Sequence, residues 1–241
     1  MILHRELAYS DPVPCPYLPD KMFTQAYFFA SEVDHDEAEL LFSTGWRKFG
    51  YFFFRPVCVQ CRMCISVRIL VDQFKISKSQ KRLLKKNSET RVIFGPLEYS
   101  DDIFAVYKDH SINRFGKQVD RDEFKTNFCS ITCPSMLSKY YVCEELAGVG
   151  FLDISKNGLS SVYFVFMKQF QHLGLGNFSV LKEMQYCRQV GLNYYYLGYY
   201  VRGNTIMEYK SHFYPYERYN WNLEMWEPVE KGATEEFKEM V

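Results

Sequence analysis

The sequence predicts an α+β protein with a mixed sheet and flanking helices in its C-terminal half. Three observations predict it. Strand-like runs follow one another at residues 140–144, 147–154 and 160–166. A glycine-bearing loop at 171–176 then opens a helical run over 178–189. A short apolar run at 194–197 completes a strand–loop–helix–strand order, the signature of a βαβ unit joined to consecutive strands. A smaller, cysteine-bearing α/β region is expected before it, which divides the chain into residues 1–130 and 131–241.

In order along the chain, residues 22–30 are dense in aromatics and predict a strand. Residues 34–41 predict a helix, with Asp34 as the cap and Glu37 placed to reach back to it. The aromatic run 46–54 predicts a second strand and 67–72 a third, with a cysteine-rich loop between them. Residues 77–86 are helical, anchored by Leu83 and Leu84; 102–110 and 122–128 are further helices. The aromatic stretch 213–219 follows the last strand, and the polar tail from about Pro228 is expected to fray.

Composition narrows the class. The chain has 241 residues, 47% of them hydrophobic and 18% aromatic, enough for a real core. Lys and Arg number 29, as do Asp and Glu, so a protein that coats nucleic acid by overall charge is excluded, though a local basic patch is not. No basic segment followed by an apolar run opens the sequence, and no stretch is long enough to span a bilayer. The expectation is a cytoplasmic protein with no membrane partner, whose cysteines are thiols or metal ligands rather than disulfides.

Cys58, Cys61 and Cys64 stand at two consecutive two-residue spacings, which lets neighbouring thiolates converge on one ion. Cys15, between Pro14 and Pro16, is the candidate fourth ligand. Zinc and an iron–sulfur cluster both suit four thiolates. Cys129, Cys133, Cys143 and Cys187 are scattered and are expected to be packed in the core. Lys78, Lys81, Arg82, Lys85 and Lys86 crowd one helical segment, the first four at steps of three and four that share a face. In a chain of zero net charge that face suits the phosphates of a tRNA. Gln171, Gly174 and Gly176 lie between a strand and a helix, where free backbone N–H groups can hold a phosphate. The pattern resembles the pyrophosphate loop of GNAT acyltransferases, and on that loop alone an acyl-CoA N-acyltransferase is an alternative.

Longer segments carry a closer resemblance. They are the run from Cys15 to Pro19, the run from Gly45 to Gly50, Arg55-Pro56 with the three cysteines, Ser77 to Arg82 with Asn87, and Gly158 to Tyr163. Leu173-Gly174, Tyr196 to Val201, Met207 to Lys210 and Phe213 to Glu217 complete the set. Together they resemble the bacterial aspartate/glutamate leucyltransferases, relatives of the arginyl-tRNA–protein transferases. The resemblance implies a GNAT-like sheet in the second half. It also implies transfer of leucine from Leu-tRNA to proteins with N-terminal Asp or Glu, which directs them to N-end-rule degradation. The sequence departs from the family's usual pattern at Met167-Lys168, at Ile206 and around Cys143–Leu146, which leaves arginine as the alternative cargo. A non-catalytic tRNA-binding adaptor is the reading from another class.

An aminoacyl ester is already activated, so the site must align an amine and stabilise an oxyanion. Tyr209, Lys210 and Glu208 are the candidate catalytic residues, with Tyr199 and Tyr200 as further donors and Asp153 as a further base. Arg47, Arg55 and Arg202 are candidates for binding the acceptor's carboxylate, and Lys210 is a further cation that could supply that contact.

Overall fold

A computed structural model describes residues 1–201 and 204–229. The chain opens with β1 (Ile2–Tyr9), a short ribbon of β2 (Val13–Pro14) and β3 (Met22–Phe23), and β4 (Gln25–Ser31). Helix α1 (His35–Ser43) starts as the sequence predicts: Glu37 N–H donates to Asp34 Oδ1 at 2.9 Å, and Asp34 N–H to Glu37 Oε2 at 3.0 Å. The expected single strand over 46–54 is instead a hairpin, β5 (Arg47–Phe49) and β6 (Phe52–Pro56). The turn sits at Gly50, with φ 53°, where a Cβ would lie 2.3 Å from the Thr126 carbonyl oxygen. These strands make a four-stranded sheet in the order β1-β4-β6-β5.

Next come β7 (Cys64–Leu70), α2 (Lys78–Lys86), β8 (Arg91–Pro96), α3 (Asp101–Phe115) and α4 (Arg121–Phe124). The helix expected over 122–128 is shorter, because the chain widens into a π turn at Lys125–Cys129. Then follow β9 (Ser135–Val142), β10 (Glu145–Ile154), β11 (Gly158–Phe166), α5 (Leu175–Val190), β12 (Tyr194–Val201), β13 (Tyr216–Asn220) and β14 (Met225–Val229). The strand expected at 140–144 begins earlier and ends in a turn, since Cys143 and Glu144 adopt φ 48° and 64°. Cys143 is exposed there, not packed in the core as expected. Cys133 and Cys187 are buried and Cys129 half-buried. Of the tail expected to fray, Pro228 and Val229 belong to β14, and the rest lies outside the described residues.

The large sheet has eight strands in the order β14-β13-β7-β12-β11-β10-β9-β8. All its pairings are antiparallel except β11 with β12. It therefore draws strands from both sides of residue 130, with β7 inserted between β12 and β13. One face carries α5, whose Val180, Leu181, Met184 and Cys187 pack on Val67, Ile69, Leu152, Leu159 and Tyr195. On the other face α3 packs through Ile103 and Val106 on Val149, Phe151 and Val165. Tyr196 reaches the core of the four-stranded sheet beside Phe28, Phe42 and Phe53. Alternation along β12 thus buries adjacent tyrosines on opposite faces. No helix among the described residues is long and apolar enough to cross a membrane.

Candidate functional site

The parallel pairing of β11 with β12 covers only Gly158–Ser160 against Tyr194–Tyr196. Past it, β12 has a bulge between Tyr196 and Gly198, where its register against β7 slips. Gly198 has φ 77°, a conformation that favours glycine. A bulge of this kind bends a strand and re-aims its neighbours. Two cations face the bulge. A Cβ built on Gly198 would lie 3.6 Å from Lys210 Nζ and 3.8 Å from Arg47 Nε.

Arg47 is 7% exposed. Its guanidinium donates to the Trp46 carbonyl and to Ser66 Oγ, each at 2.7 Å, but its Nε has no partner among the described residues. It lies over the rings of Tyr196 and Tyr199, at 5.4 and 5.8 Å. Burial works against its charge; the Tyr199 and Tyr196 phenols and Asp153 act the other way. Lys210 Nζ donates to the Tyr199 carbonyl at 2.7 Å. Burial first, and the Arg47 charge second, pull its ammonium down to about 7. Arg55 is close by on β6, its Nε also unpartnered and its guanidinium 5.0 Å over Trp46. Arg202 lies outside the described residues.

Lys210 sits in the 3₁₀ turn Glu208–His212 with Tyr209 and Glu208. Burial pushes the Tyr209 phenol up to about 12, Glu183 adds to the rise and Arg114 opposes it. Glu208 is exposed. Tyr199 differs from expectation, because its hydroxyl is tied to the Gly45 and Phe54 carbonyls at 2.7 and 3.3 Å, so it braces the site. Tyr200 is buried in the core. Asp153 is no free base: it pairs with Lys48 at 3.2 Å and accepts from Ser135 at 2.7 Å.

The basic helix and the glycine loop meet. Asn87, the C-cap of α2, donates through Nδ2 to the Leu173 carbonyl at 2.9 Å, and Lys86 Nζ donates to the His172 carbonyl. Leu83 packs within 3.2 Å of the position of a Gly174 Cβ. At its other end α2 is capped by Ser77 and Gln80, and Gln80 Nε2 reaches the His212 carbonyl at 3.5 Å. The helix therefore spans from the Lys210 turn to the glycine loop. Its Lys78, Lys81, Arg82, Lys85 and Lys86 are all exposed, and none has a carboxylate partner among the described residues. Gly174 caps α5 with φ 67° and no side-chain cap, leaving the helix N-terminus open. Gly176 faces open space. Gln171 lines an adjacent cleft with His110, Asn113, Arg114, Phe166 and Lys168.

Cys58, Cys61 and Cys64 line a small cavity with Pro56, Arg62 and Trp221. Burial first, then the neighbouring thiols Cys58, Cys15 and Cys61, push Cys64 up to about 12, so all four cysteines share one neighbourhood. Cys58 Sγ accepts from the Thr24 N–H at 3.4 Å. Among the described residues no three His, Cys, Asp or Glu donors already stand as a metal site.

Sequence reasoning missed Ser66, which holds Arg47, and named Gln80 and Asn87 only within the family resemblance, without the contacts they make. It also missed Glu183, 1% exposed on α5. Its carboxyl accepts from Ser138 at 2.8 Å, Tyr140 at 3.2 Å and Tyr195, and burial pushes it up to about 7. A glycine inside the aromatic run 194–201 was the signal for the bulge.

Comparison with known proteins matches the chain to two family models. Residues 13–82 match "Arginine-tRNA-protein transferase, N terminus" and residues 100–220 match "Arginine-tRNA-protein transferase, C terminus". The chain is similar to an aspartate/glutamate leucyltransferase of Campylobacter jejuni, 31% identical over 220 residues, 88% of this chain and 92% of that one. It is similar to one from Nitrobacter winogradskyi at 32% over 229 residues, 86% of each. Among solved structures, L-PGS from Bacillus licheniformis aligns with a TM-score of 0.49 and 13% identity, over 67% of this chain and 61% of that one.

Proposed function

This chain belongs to the arginine-tRNA-protein transferase family, and we propose that it moves leucine from Leu-tRNA onto the N-terminal Asp or Glu of acceptor proteins. The observation that carries the reading is α2, an exposed basic helix bonded at one end to the Leu173 carbonyl and at the other to the His212 carbonyl. A tRNA backbone lying on that helix is thereby tied in register to both the glycine loop and the Lys210 turn. Leucine as cargo follows the names of the relatives; arginine, the cargo named by the family model, is the second reading. The acyl-CoA reading rests on the glycine loop alone, and α2 gives it no role.

The proposed chemistry needs no covalent enzyme intermediate. The acceptor's neutral α-amine attacks the ester carbonyl of the aminoacyl-tRNA, a C–N bond forms, and the tRNA 3′-terminal ribose oxygen leaves with a proton. Tyr209, whose phenol stays protonated at neutral pH, donates to the oxyanion. Glu208, exposed on the same turn, takes the proton that the amine sheds and returns it to the ribose oxygen as the C–O bond breaks. Lys78, Lys81, Arg82, Lys85 and Lys86 hold phosphates, while Gln171, Gly174 and Gly176 receive the acceptor end. The antiparallel β9–β10–β11 run, the open-ended α5 and the splayed β11–β12 pair support a GNAT-like reading of the second half.

Cys15, Cys58, Cys61 and Cys64 are the proposed ligands of a zinc ion or iron–sulfur cluster, because four soft donors share one neighbourhood. Bound there, the group would cross-link the β2–β3 ribbon to β7. The protein works in the cytoplasm, where charged tRNA and N-end-rule substrates meet. Incubation with Leu-tRNA and an Asp-initiated peptide, read by mass spectrometry, should add one leucine residue. An unchanged peptide would refute the reading.

A further inference from the structure

We propose that Arg47 and Lys210, converging on the Gly198 bulge, form a two-cation clamp for the side-chain carboxylate of the acceptor's N-terminal residue. The proposal rests on the transferase reading above and assigns its acidic specificity to one place. Of the two parts open to Lys210, acyl transfer and recognition of the acceptor, it selects recognition, and it pairs Lys210 with Arg47.

The contrast among buried cations carries the argument. Lys48, next to Arg47 in β5, is paired with Asp153 at 3.2 Å, and Arg68 with Glu217 at 2.6 Å. A buried charge without a partner is costly, so folded chains pair it, let its pKa shift toward the neutral form as at Lys210, or reserve it for a ligand. Arg47 and Lys210 have no carboxylate partner among the described residues, although each lies close to the same Gly198 position. Asp153 acts on Arg47 only from a distance, as it is already engaged by Lys48 and Ser135.

The hydrogen bonds say the same. Arg47 spends two N–H groups on the Trp46 carbonyl and Ser66, which fix the guanidinium, and leaves its Nε–H unused. Lys210 spends one N–H on the Tyr199 carbonyl and has two more to give. A carboxylate accepts from both at once and neutralises the repulsion between them. The space is set by Gly198. A side chain there would reach into the gap between the two cations, at ordinary contact distance from both. Arg47 is buried and Lys210 half-buried, so both cations are largely withdrawn from bulk water, where a charge-assisted bond counts for more.

The test uses the wild-type protein and desamino peptides. A succinyl-capped peptide is an Asp-initiated peptide without its amine; its succinamoyl counterpart is the neutral Asn equivalent. Reductive methylation of Lys210, followed by mass spectrometry, should be slowed by the succinyl peptide and not by the succinamoyl peptide. Equal methylation with both would overturn the clamp. In parallel, Lys210→Met should raise KM for an Asp-initiated peptide about 10- to 100-fold, the worth of a charge-assisted bond. The Asp-over-Asn preference should shrink by the same factor, the Asn-initiated peptide being the neutral and poorer acceptor, and Lys210→Arg should restore much of the preference. An unchanged Asp-over-Asn preference in Lys210→Met also overturns the clamp. Protection of Lys210 without any transfer of leucine or arginine would keep the clamp and sink the transferase reading instead.

Discussion

Changing Lys81 and Arg82 together to Ala should weaken tRNA binding and flatten its salt dependence without unfolding the protein. Both side chains are exposed on α2 and make no ion pair among the described residues, so stability should change by less than about 0.5 kcal/mol. Each phosphate contact contributes roughly 0.7–0.9 to the slope of log K against log salt, depending on the strandedness of the nucleic acid. Losing two contacts should reduce the slope by roughly 1.4–1.8. A fourfold rise in salt would then cost the wild type roughly 7- to 12-fold more affinity than it costs the variant. Filter binding or fluorescence anisotropy at four salt concentrations reads this directly. Asn87→Ala is the contrasting change: Asn87 is 3% exposed and bonds the Leu83 and Leu173 carbonyls at 3.0 and 2.9 Å. Its loss should cost about 1–3 kcal/mol of stability and lower the transfer rate while leaving the salt slope intact. A double variant with the wild-type slope would remove α2 from the interface and refute the reasoning.

Glu183→Gln should abolish a pH dependence of stability. The native carboxyl is pushed up to about 7 from 4.5, so between those values the folded protein holds a proton that the unfolded chain has lost. Stability should therefore fall as pH rises through that window, by a few kcal/mol at most, and level off above it; denaturant melts from pH 4 to 8 would show this. The kcat/KM ratio of Asp- over Asn-initiated peptides should decline as pH rises past about 7, where Lys210 loses its charge, while a flat ratio would remove Lys210 from recognition. Anaerobic purification with elemental analysis should find zinc, or iron with sulfide, and Cys61→Ser should lower it; a metal-free wild type would end the four-cysteine proposal.

What was legible in the sequence was local. The Asp34–Glu37 capping box depends on residues three apart, and both hydrogen bonds form. The basic face of 78–86 follows from helical spacing, and α2 presents all five cations to solvent. The order strand, glycine loop, helix, strand in 158–201 also holds, because a βαβ unit is contiguous in the chain. What was hidden depends on pairing between distant segments. Nothing around Cys64–Leu70 says that it lies between β12 and β13, since every strand there reads as apolar and aromatic. The exposed edge strand Ile2–Tyr9 lacks a buried face to pattern it, and Arg91–Pro96 alternates too weakly to stand out. Arg47 was legible as a candidate but its relation to Lys210 was not, for only the bulge at Gly198 brings the two together across 163 positions of sequence. Glu183 reads as an ordinary helix-surface residue until Gly150 is seen to leave room for it: a Cβ there would lie 2.7 Å from its Oε1.

The most direct test of the central claim is a competition among donors. The protein is given Leu-tRNA, Arg-tRNA and acetyl-CoA in turn, with peptides that begin Asp, Glu or Ala, and the products are weighed by mass spectrometry. The account predicts one added leucine on the Asp and Glu peptides and almost none on the Ala peptide. Arginine addition with the same acceptor preference would correct the cargo alone. No extension from either aminoacyl-tRNA, together with acetylation from acetyl-CoA, would contradict the account.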